Sequence, residues 1–264
     1  MIKLIITDVD DTVAHEGSQY INPEYYEVIH ALREKGVIFV VASGRQRQSI
    51  QKTFQPVSDE IIYIADNGTD IYSKEFETSL SFPQDEYEEL IKDLHALGGE
   101  YQVMSCKPLV SYIEEGCDAF FDKMKNGYGY VLEKTKNAEK LEGICKISLY
   151  NPKGIEEEVE MKMKERWSGS MDVCIAGQWY LDFTGKGANK GKALSIIQEH
   201  YGITAEETAA FGNADNDISM LVEAKHSYAV ANASGGLKAV ASEVIGSMEE
   251  DAVLDKLKEF LSLV

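Results

Sequence analysis

Asp8 and Asp10 stand two residues apart in the segment Ile5-Ile6-Thr7-Asp8-Val9-Asp10-Asp11-Thr12. Two carboxylates at that spacing, just past an apolar run, can share one ligand. Asp8 can attack an electrophile as a nucleophile while Asp10 moves the proton. Their summed charge also invites a hard cation such as Mg²⁺, which takes oxygen ligands. An acidic turn can equally be no more than a solvated turn, so the pair needs partners before it means chemistry. Three later segments supply them. Val37-Ile38-Phe39-Val40-Val41-Ala42 runs into Ser43-Gly44-Arg45, a hydroxyl beside small backbone where a phosphate oxygen can be held. Gly187-Ala188-Asn189-Lys190-Gly191-Lys192 opens an amphipathic helix. There Lys190 puts a point charge beside the free N–H groups of a helix start. Thr208-Ala209-Ala210-Phe211 leads into Gly212-Asn213-Ala214-Asp215-Asn216-Asp217, an amide and acid cluster ahead of another helix.

The elements around these residues predict how they are positioned. Ile2 to Ile6 and Val37 to Ala42 read as buried strands. In an open parallel sheet, ligands collect at the carboxyl ends of the strands. Asn22-Pro23-Glu24 starts a helix that runs through Ile29 and Leu32 to Lys35 and is closed by Gly36. Past residue 186 the alternation resumes with a helix from Lys190 to Tyr201, stopped by Gly202, and a strand over 208–211. A helix from Ile218 to Glu223, a strand from Tyr228 to Ala231, a short helix near Leu237 to Ala241 and a last helix from Ala252 to Leu263 follow. This βα alternation indicates a Rossmann-like α/β core, a parallel sheet covered by helices.

The middle of the chain, 83–182, reads differently. Helices are expected over Glu86–Leu97, Asp118–Lys125 and Glu156–Arg166, and strands over Pro108–Ile113 and Lys146–Tyr150. Met171–Ile175 and Trp179–Phe183 pattern as a hairpin around Gly177-Gln178. These interleaved elements suggest an α+β insertion. Its hinges are placed near Ser81-Phe82-Pro83 and Thr184-Gly185-Lys186-Gly187, where proline and glycine punctuate the chain. The expected domains are therefore a core of residues 1–82 and 183–264, and an inserted domain of 83–182.

With these motifs in order, the sequence resembles the haloacid dehalogenase-like phosphatases. Asp8-Val9-Asp10-Asp11-Thr12 matches their first motif, Ser43 the second, Lys190 the third, and Gly212-Asn213 with Asn216-Asp217 the fourth. Asp66-Asn67-Gly68-Thr69, after Ile61-Ile62-Tyr63-Ile64, looks like a turn of the Cof-type subfamily, whose cap occupies the position of the insertion. The resemblance implies Mg²⁺ held by the Asp8 side chain, the Asp10 main-chain carbonyl and residue 213, with Asp217 close behind. It implies phosphate contacts from the Val9 and Gly44 backbone, Ser43, Lys190 and the Asn216 amide. Arg45 and Asn67 are candidates for reaching the substrate. The family pattern usually has Asp at position 213, and this chain has Asn. An amide oxygen still ligates a hard cation but brings no formal charge.

The activity expected from the resemblance is hydrolysis of small phosphorylated metabolites, sugar phosphates among them, through an aspartyl-phosphate on Asp8 with Asp10 as general acid and base. The alternatives are a phosphotransferase or mutase, and a non-catalytic metabolite sensor whose metal site has weakened at Asn213. Only a helix and a strand separate Thr12 from Ser43, which leaves no room for the early cap of the mutases. The net charge of −19 over 264 residues and pI near 4.7 argue against nucleic acid or an anionic membrane as partner. Cys106, Cys117, Cys145 and Cys174 form no Cys-x-x-Cys pair. No signal segment or apolar span is recognised. A cytoplasmic protein, monomeric or weakly dimeric, is expected.

Overall fold

The computed structural model describes residues 1–176 and 178–263. Contacts divide the chain into two compact units, Met1–Thr78 with Asn189–Val264, and Ser79–Ala188. The first unit opens on strand β1 (Leu4–Asp8), helix α1 (Glu24–Glu34) and strand β2 (Ile38–Ala42). Helix α2 (Arg47–Thr53), strand β3 (Ile61–Ala65) and two short strands, β4 (Asp70–Tyr72) and β5 (Glu77–Ser79), complete its first half. Every residue of β1 is buried, so the strand is covered on both faces and its apolar run needs no alternation. Gly36 ends α1 at φ +82°, a conformation that a side chain would resist.

The second unit contains α3 (Gln84–His95), β6 (Gln102–Cys106), β7 (Ser111–Glu114), α4 (Asp118–Asp122) and β8 (Leu132–Thr135). It continues with β9 (Lys146–Tyr150), α5 (Glu157–Trp167), β10 (Met171–Ala176) and β11 (Tyr180–Gly185). Its six strands lie in the order β10-β11-β9-β6-β7-β8. The pairs are antiparallel except β7 with β8. Val103, Ile147, Leu149, Leu181 and Phe183 meet the apolar stripes of α3 and α5 (Tyr87, Leu90, Leu94, Val159, Met163, Trp167) in one core. Alternate residues Met104, Cys106, Ile113 and Tyr150 meet Phe120 and Met124 in another. The hairpin expected over 171–183 is present as β10 and β11, and its turn residue Gly177 lies outside the described residues. The unit begins before residue 83 and ends after 182 because both flanks are tied into it. Phe82 donates its N–H to the Ile144 carbonyl, and Gly187 donates to the Asp172 carboxylate.

The chain then returns to the first unit through α6 (Lys190–Tyr201), β12 (Thr208–Gly212), α7 (Ile218–Val222) and β13 (His226–Ala229). It ends with α8 (Gly235–Val240), β14 (Glu243–Val244) and α9 (Ala252–Leu263). The sheet order is β14-β13-β12-β1-β2-β3-β4-β5. Its six parallel strands, counted in chain order, stand as 3-2-1-4-5-6, the doubly wound arrangement. The strand order reverses between β1 and β12, and a crevice opens there at the carboxyl ends. The expected α/β core with an α+β insertion is what forms. The short strands β4, β5, β8 and β14 were not anticipated, because two to four residues carry too little periodicity to read, and neither was β6, whose Gln102-Val103-Met104-Ser105-Cys106 lacks clean alternation. Among the described residues no helix is long and apolar enough to cross a membrane.

One close approach fixes α6. A Cβ placed on Gly191, in its first turn, would lie 2.4 Å from the Ser219 carbonyl oxygen of α7. Gly191→Ala is expected to destabilise the protein by about 1–3 kcal/mol through this overlap alone. Urea unfolding followed by circular dichroism measures it. A variant as stable as the parent would mean that α6 and α7 are not held at this spacing.

Candidate active site

The crevice at the strand-order reversal receives the residues that the sequence marks as reactive. β1 ends at Asp8, paired beside Ala42 of β2. On its other side Thr7 pairs with Phe211 of β12, one residue before Gly212. The loops after β1, β2 and β12 therefore leave the sheet side by side. The N-terminus of α6 joins them, capped by the Asn189 side chain, which accepts the Lys192 N–H at 2.9 Å.

Lys190 is the centre of the constellation. Its Nζ donates to Asp8 Oδ1 and to Asp217 Oδ1, each at 2.6 Å. The ammonium is 1% exposed, Asp217 is fully buried and Asp8 is 5% exposed. Thr12 Oγ1 donates to the other Asp8 oxygen at 2.9 Å. Asp217 Oδ2 accepts the N–H groups of Asn213 and Ala214, both at 3.0 Å. Asp217 can fold back this far because residue 212 is glycine: a Cβ there would come 2.7 Å from the Asp217 side chain. Burial, then the charge of Asp217, outweigh Lys190 and push the Asp8 carboxyl up to about 7. Burial alone would lower the Lys190 ammonium, but Asp217 and Asp8 more than offset it and hold its pKa above the ordinary value.

Asp10 is held separately. Arg45 grips its carboxylate with two nitrogens, Nε at 2.9 Å from Oδ2 and Nη2 on Oδ1. The third guanidinium nitrogen donates to the Ser18 carbonyl at 2.8 Å, and the Gly17 N–H reaches Asp10 Oδ1 at 2.9 Å. A bidentate fork of this kind fixes the plane of a carboxylate as well as its position. Asp10 still keeps 28% of its side chain exposed, whereas Arg45 keeps 3%. Val9 turns its carbonyl into the loop, where it accepts from Thr12, Val13 and Ala14.

Ser43 is fully buried and its Oγ accepts the Arg45 N–H at 3.1 Å. Its carbonyl accepts the Asn67 N–H at 3.0 Å, and the Asp66 N–H reaches the Arg45 carbonyl at 3.0 Å. Asn67, at φ +59°, places its side-chain oxygen 3.1 Å from Asn216 Nδ2. The turn after β3 is thereby stitched to the loops after β2 and β12.

The structure thus brings together Asp8, Asp10, Ser43, Gly44, Lys190, Asn213, Asn216 and Asp217, with Arg45 and Asn67 among them. It shows what three of the expected site residues touch within the protein. Arg45 is turned onto Asp10 and Ser18 and is almost wholly buried, so its guanidinium faces the protein. Asn67 lies against Asn216. Asp217, grouped with the metal candidates on sequence grounds, has its two oxygens engaged by Lys190 and the 213–214 backbone. Among the described residues no three His, Cys, Asp or Glu side chains converge as a metal cluster. Thr12 went unassigned in sequence, although its four-residue spacing from Asp8 was the available signal. Arg47 was also missed. It is buried, forks onto Asp70 at 2.8 and 2.6 Å, and lies 4.3 Å from the Tyr72 ring. Nothing in the spacing of Arg47 and Asp70 announces that pair.

Known proteins share this architecture. The sequence pattern of the haloacid dehalogenase-like hydrolase family matches residues 5–257. The 5-amino-6-(5-phospho-D-ribitylamino)uracil phosphatase YbjI of Escherichia coli K12 is 28% identical, over 98% of this chain and 96% of that one. An HMP-PP phosphatase of Serratia proteamaculans is 24% identical, over 99% and 96%. A crystal structure from Eubacterium rectale superposes with a TM-score of 0.90 at 31% identity, covering 98% of this chain and 99% of that one. With nearly its whole length matched and its motifs gathered at one crevice, the chain belongs to the haloacid dehalogenase-like hydrolases, as a Cof-type member.

Proposed function

We propose that this protein is a Mg²⁺-dependent phosphatase that hydrolyses monoesters of small phosphorylated metabolites, with Asp8 as nucleophile and Asp10 as general acid and base. The observation that carries the reading is the Lys190 ammonium, buried between Asp8 and Asp217 at the strand-order reversal. A phosphate monoester is a dianion, and an anionic nucleophile needs positive charge beside it. Lys190 supplies that charge within contact of Asp8, while Thr12 orients the attacking carboxylate. Asp8 attacks phosphorus in line and forms an aspartyl-phosphate. Asp10, aimed by Arg45, protonates the departing alkoxide and then takes a proton from the water that cleaves the acyl phosphate. Ser43, the Val9 and Gly44 backbone and the Asn216 amide hold the remaining phosphate oxygens. None of these groups comes from the inserted unit, which is left to set specificity. Its relatives' named substrates support a small phosphorylated metabolite, and sugar phosphates are the first esters to try.

The donor set suits Mg²⁺. In the crevice three carboxylates (Asp8, Asp10 and Asp217) face two cations (Lys190 and Arg45), which leaves negative charge in excess. The Asp8 carboxylate, the Asp10 main-chain carbonyl and the Asn213 amide are all hard oxygen donors, and Mg²⁺ commonly retains several waters beside one or two carboxylates. When bound, the ion supplies charge neutralisation between nucleophile and phosphate. Asp217 acts as the anchor of Lys190 rather than as a ligand.

Phosphate release from p-nitrophenyl phosphate or a sugar phosphate is expected with Mg²⁺ and is expected to vanish in EDTA. Undiminished turnover in EDTA would exclude the metal, and no release from any ester in a broad panel would favour the sensor alternative. Asp8→Asn should lower turnover by about 10³-fold or more while the circular dichroism spectrum is unchanged. Wild-type turnover in that variant would make water the attacking group. Asn213→Asp should tighten Mg²⁺ binding by about tenfold, since Coulomb attraction from an added carboxylate exceeds its desolvation. Calorimetric titration of both forms decides, and an unchanged or weaker affinity would remove residue 213 from the ligand set.

A further inference from the structure

Three loops of the site meet at one residue. The Asn67 N–H is bonded to the Ser43 carbonyl at 3.0 Å. Its side-chain oxygen accepts from Asn216 Nδ2 at 3.1 Å. A Cβ added to Gly44 would press on the Asn67 Oδ1 at 3.2 Å. The neighbouring Gly68, at φ +103°, lies so close to the α6 cap that a Cβ there would be 2.3 Å from the Asn189 carbonyl oxygen. Asn67 itself is only 9% exposed, whereas Asn216 is exposed to solvent. The turn is therefore wedged between the loop that carries Ser43, the helix start that carries Lys190 and the loop that carries Asn216.

An asparagine amide has nearly the same shape in its two orientations but opposite electrostatics, with two N–H donors at one end and an acceptor at the other. A phosphate ester presents acceptors. An Asn216 turned the wrong way would set oxygen against oxygen. At an exposed position solvent alone would satisfy either orientation. The Asn67 oxygen accepts only from the nitrogen end, which leaves the second Asn216 N–H to point away from Asn67.

We propose that Asn67 is a positioning residue that holds the Asn216 amide with an N–H toward the phosphate, and that it reaches the substrate only through Asn216. This rests on the phosphatase reading for the identity of the anion, and on geometry for the orientation. The left-handed backbone at Asn67 suits glycine, so Asn67→Gly removes the amide and keeps the turn.

The test is a double-mutant cycle read by calorimetric binding of inorganic phosphate in the presence of Mg²⁺. Asn67→Gly and Asn216→Ala should each weaken binding by about tenfold to a hundredfold, the scale of one hydrogen bond to a charged group. The double variant should bind no more weakly than Asn216→Ala alone. Losses that multiply would mean that the two residues act independently and would overturn the proposal. The Asn216 side-chain amide resonances, assigned by their disappearance in Asn216→Ala, give a readout that needs no phosphate. They should shift in Asn67→Gly and stay near their wild-type positions in Asn67→Asp, which keeps an acceptor. Resonances that do not move in Asn67→Gly would overturn the proposal. A wild-type protein that binds no phosphate but shows this pattern would overturn the phosphatase reading and leave the orientation standing.

Discussion

The ammonium of Lys190, withdrawn from water between Asp8 and Asp217, is the interaction on which the site depends. Removing one partner from a buried ion pair typically costs about 3–5 kcal/mol, because the remaining charge is left without compensation. Here the ammonium serves two carboxylates, Asp8 at the end of β1 and Asp217 in the turn after β12, and each of those has further partners. Asp217 closes the turn after β12 through the Asn213 and Ala214 N–H groups. Asp8 is fixed from the other side by Thr12. The start of α6, the end of β1 and the loop after β12 are thus locked by one cation. Gly191 and Gly212 are the small residues that let the backbones approach closely enough for this to happen.

Electrostatics divides the work between the two aspartates of the first motif. Asp8 lies in a buried, negatively biased setting that pushes its carboxyl up to about 7, so it gains most from any cation that joins the site. Asp10 is partly exposed and clamped by a buried guanidinium. On the proposed reading, one carboxylate is placed to form a bond and the other to exchange protons with a group arriving from solvent. A chain carrying net charge −19 can attract a phosphate dianion only where its cations are concentrated, and Lys190 and Arg45 concentrate them at the sheet's carboxyl edge. Arg45 does so indirectly: its charge is spent on Asp10.

The second unit is built on a different physical plan. Its antiparallel sheet has helices α3 and α5 over one face, and alternate residues on the other face form a smaller aromatic cluster. Charged groups enter this sheet as well. Lys146 and Asp182, both almost fully buried, approach to 3.4 Å across β9 and β11, and Ser148 donates to Asp182 at 2.7 Å. A buried pair of this kind adds little net stability compared with apolar residues of the same size. These groups lie on the face of the sheet that carries the smaller aromatic cluster.

Much of the catalytic unit was legible in the sequence, because its information is local. Apolar runs at 4–6 and 37–42, each ending in a polar turn, read as strands covered on both faces, and a carboxylate at the end of such a strand emerges at the sheet's carboxyl edge. Helix starts and stops at Asn189, Gly36 and Gly202 are backbone chemistry that a few residues determine. That Asp8, Asp10, Ser43, Lys190 and Asn216 act as a group followed from the resemblance of their ordered motifs to the haloacid dehalogenase-like phosphatases. What the tertiary structure alone decided was how the side chains pair. Arg45, read as a substrate contact, forks onto Asp10. Asp217, read beside the metal, holds Lys190. Asn67 faces Asn216 across 149 residues of chain. Such pairings depend on crossovers that bring distant loops within 3 Å, and a polar side chain's spacing along the chain says nothing about which partner will be desolvated with it. Sequence determines which groups reach the crevice; packing determines which of them remain available to a ligand.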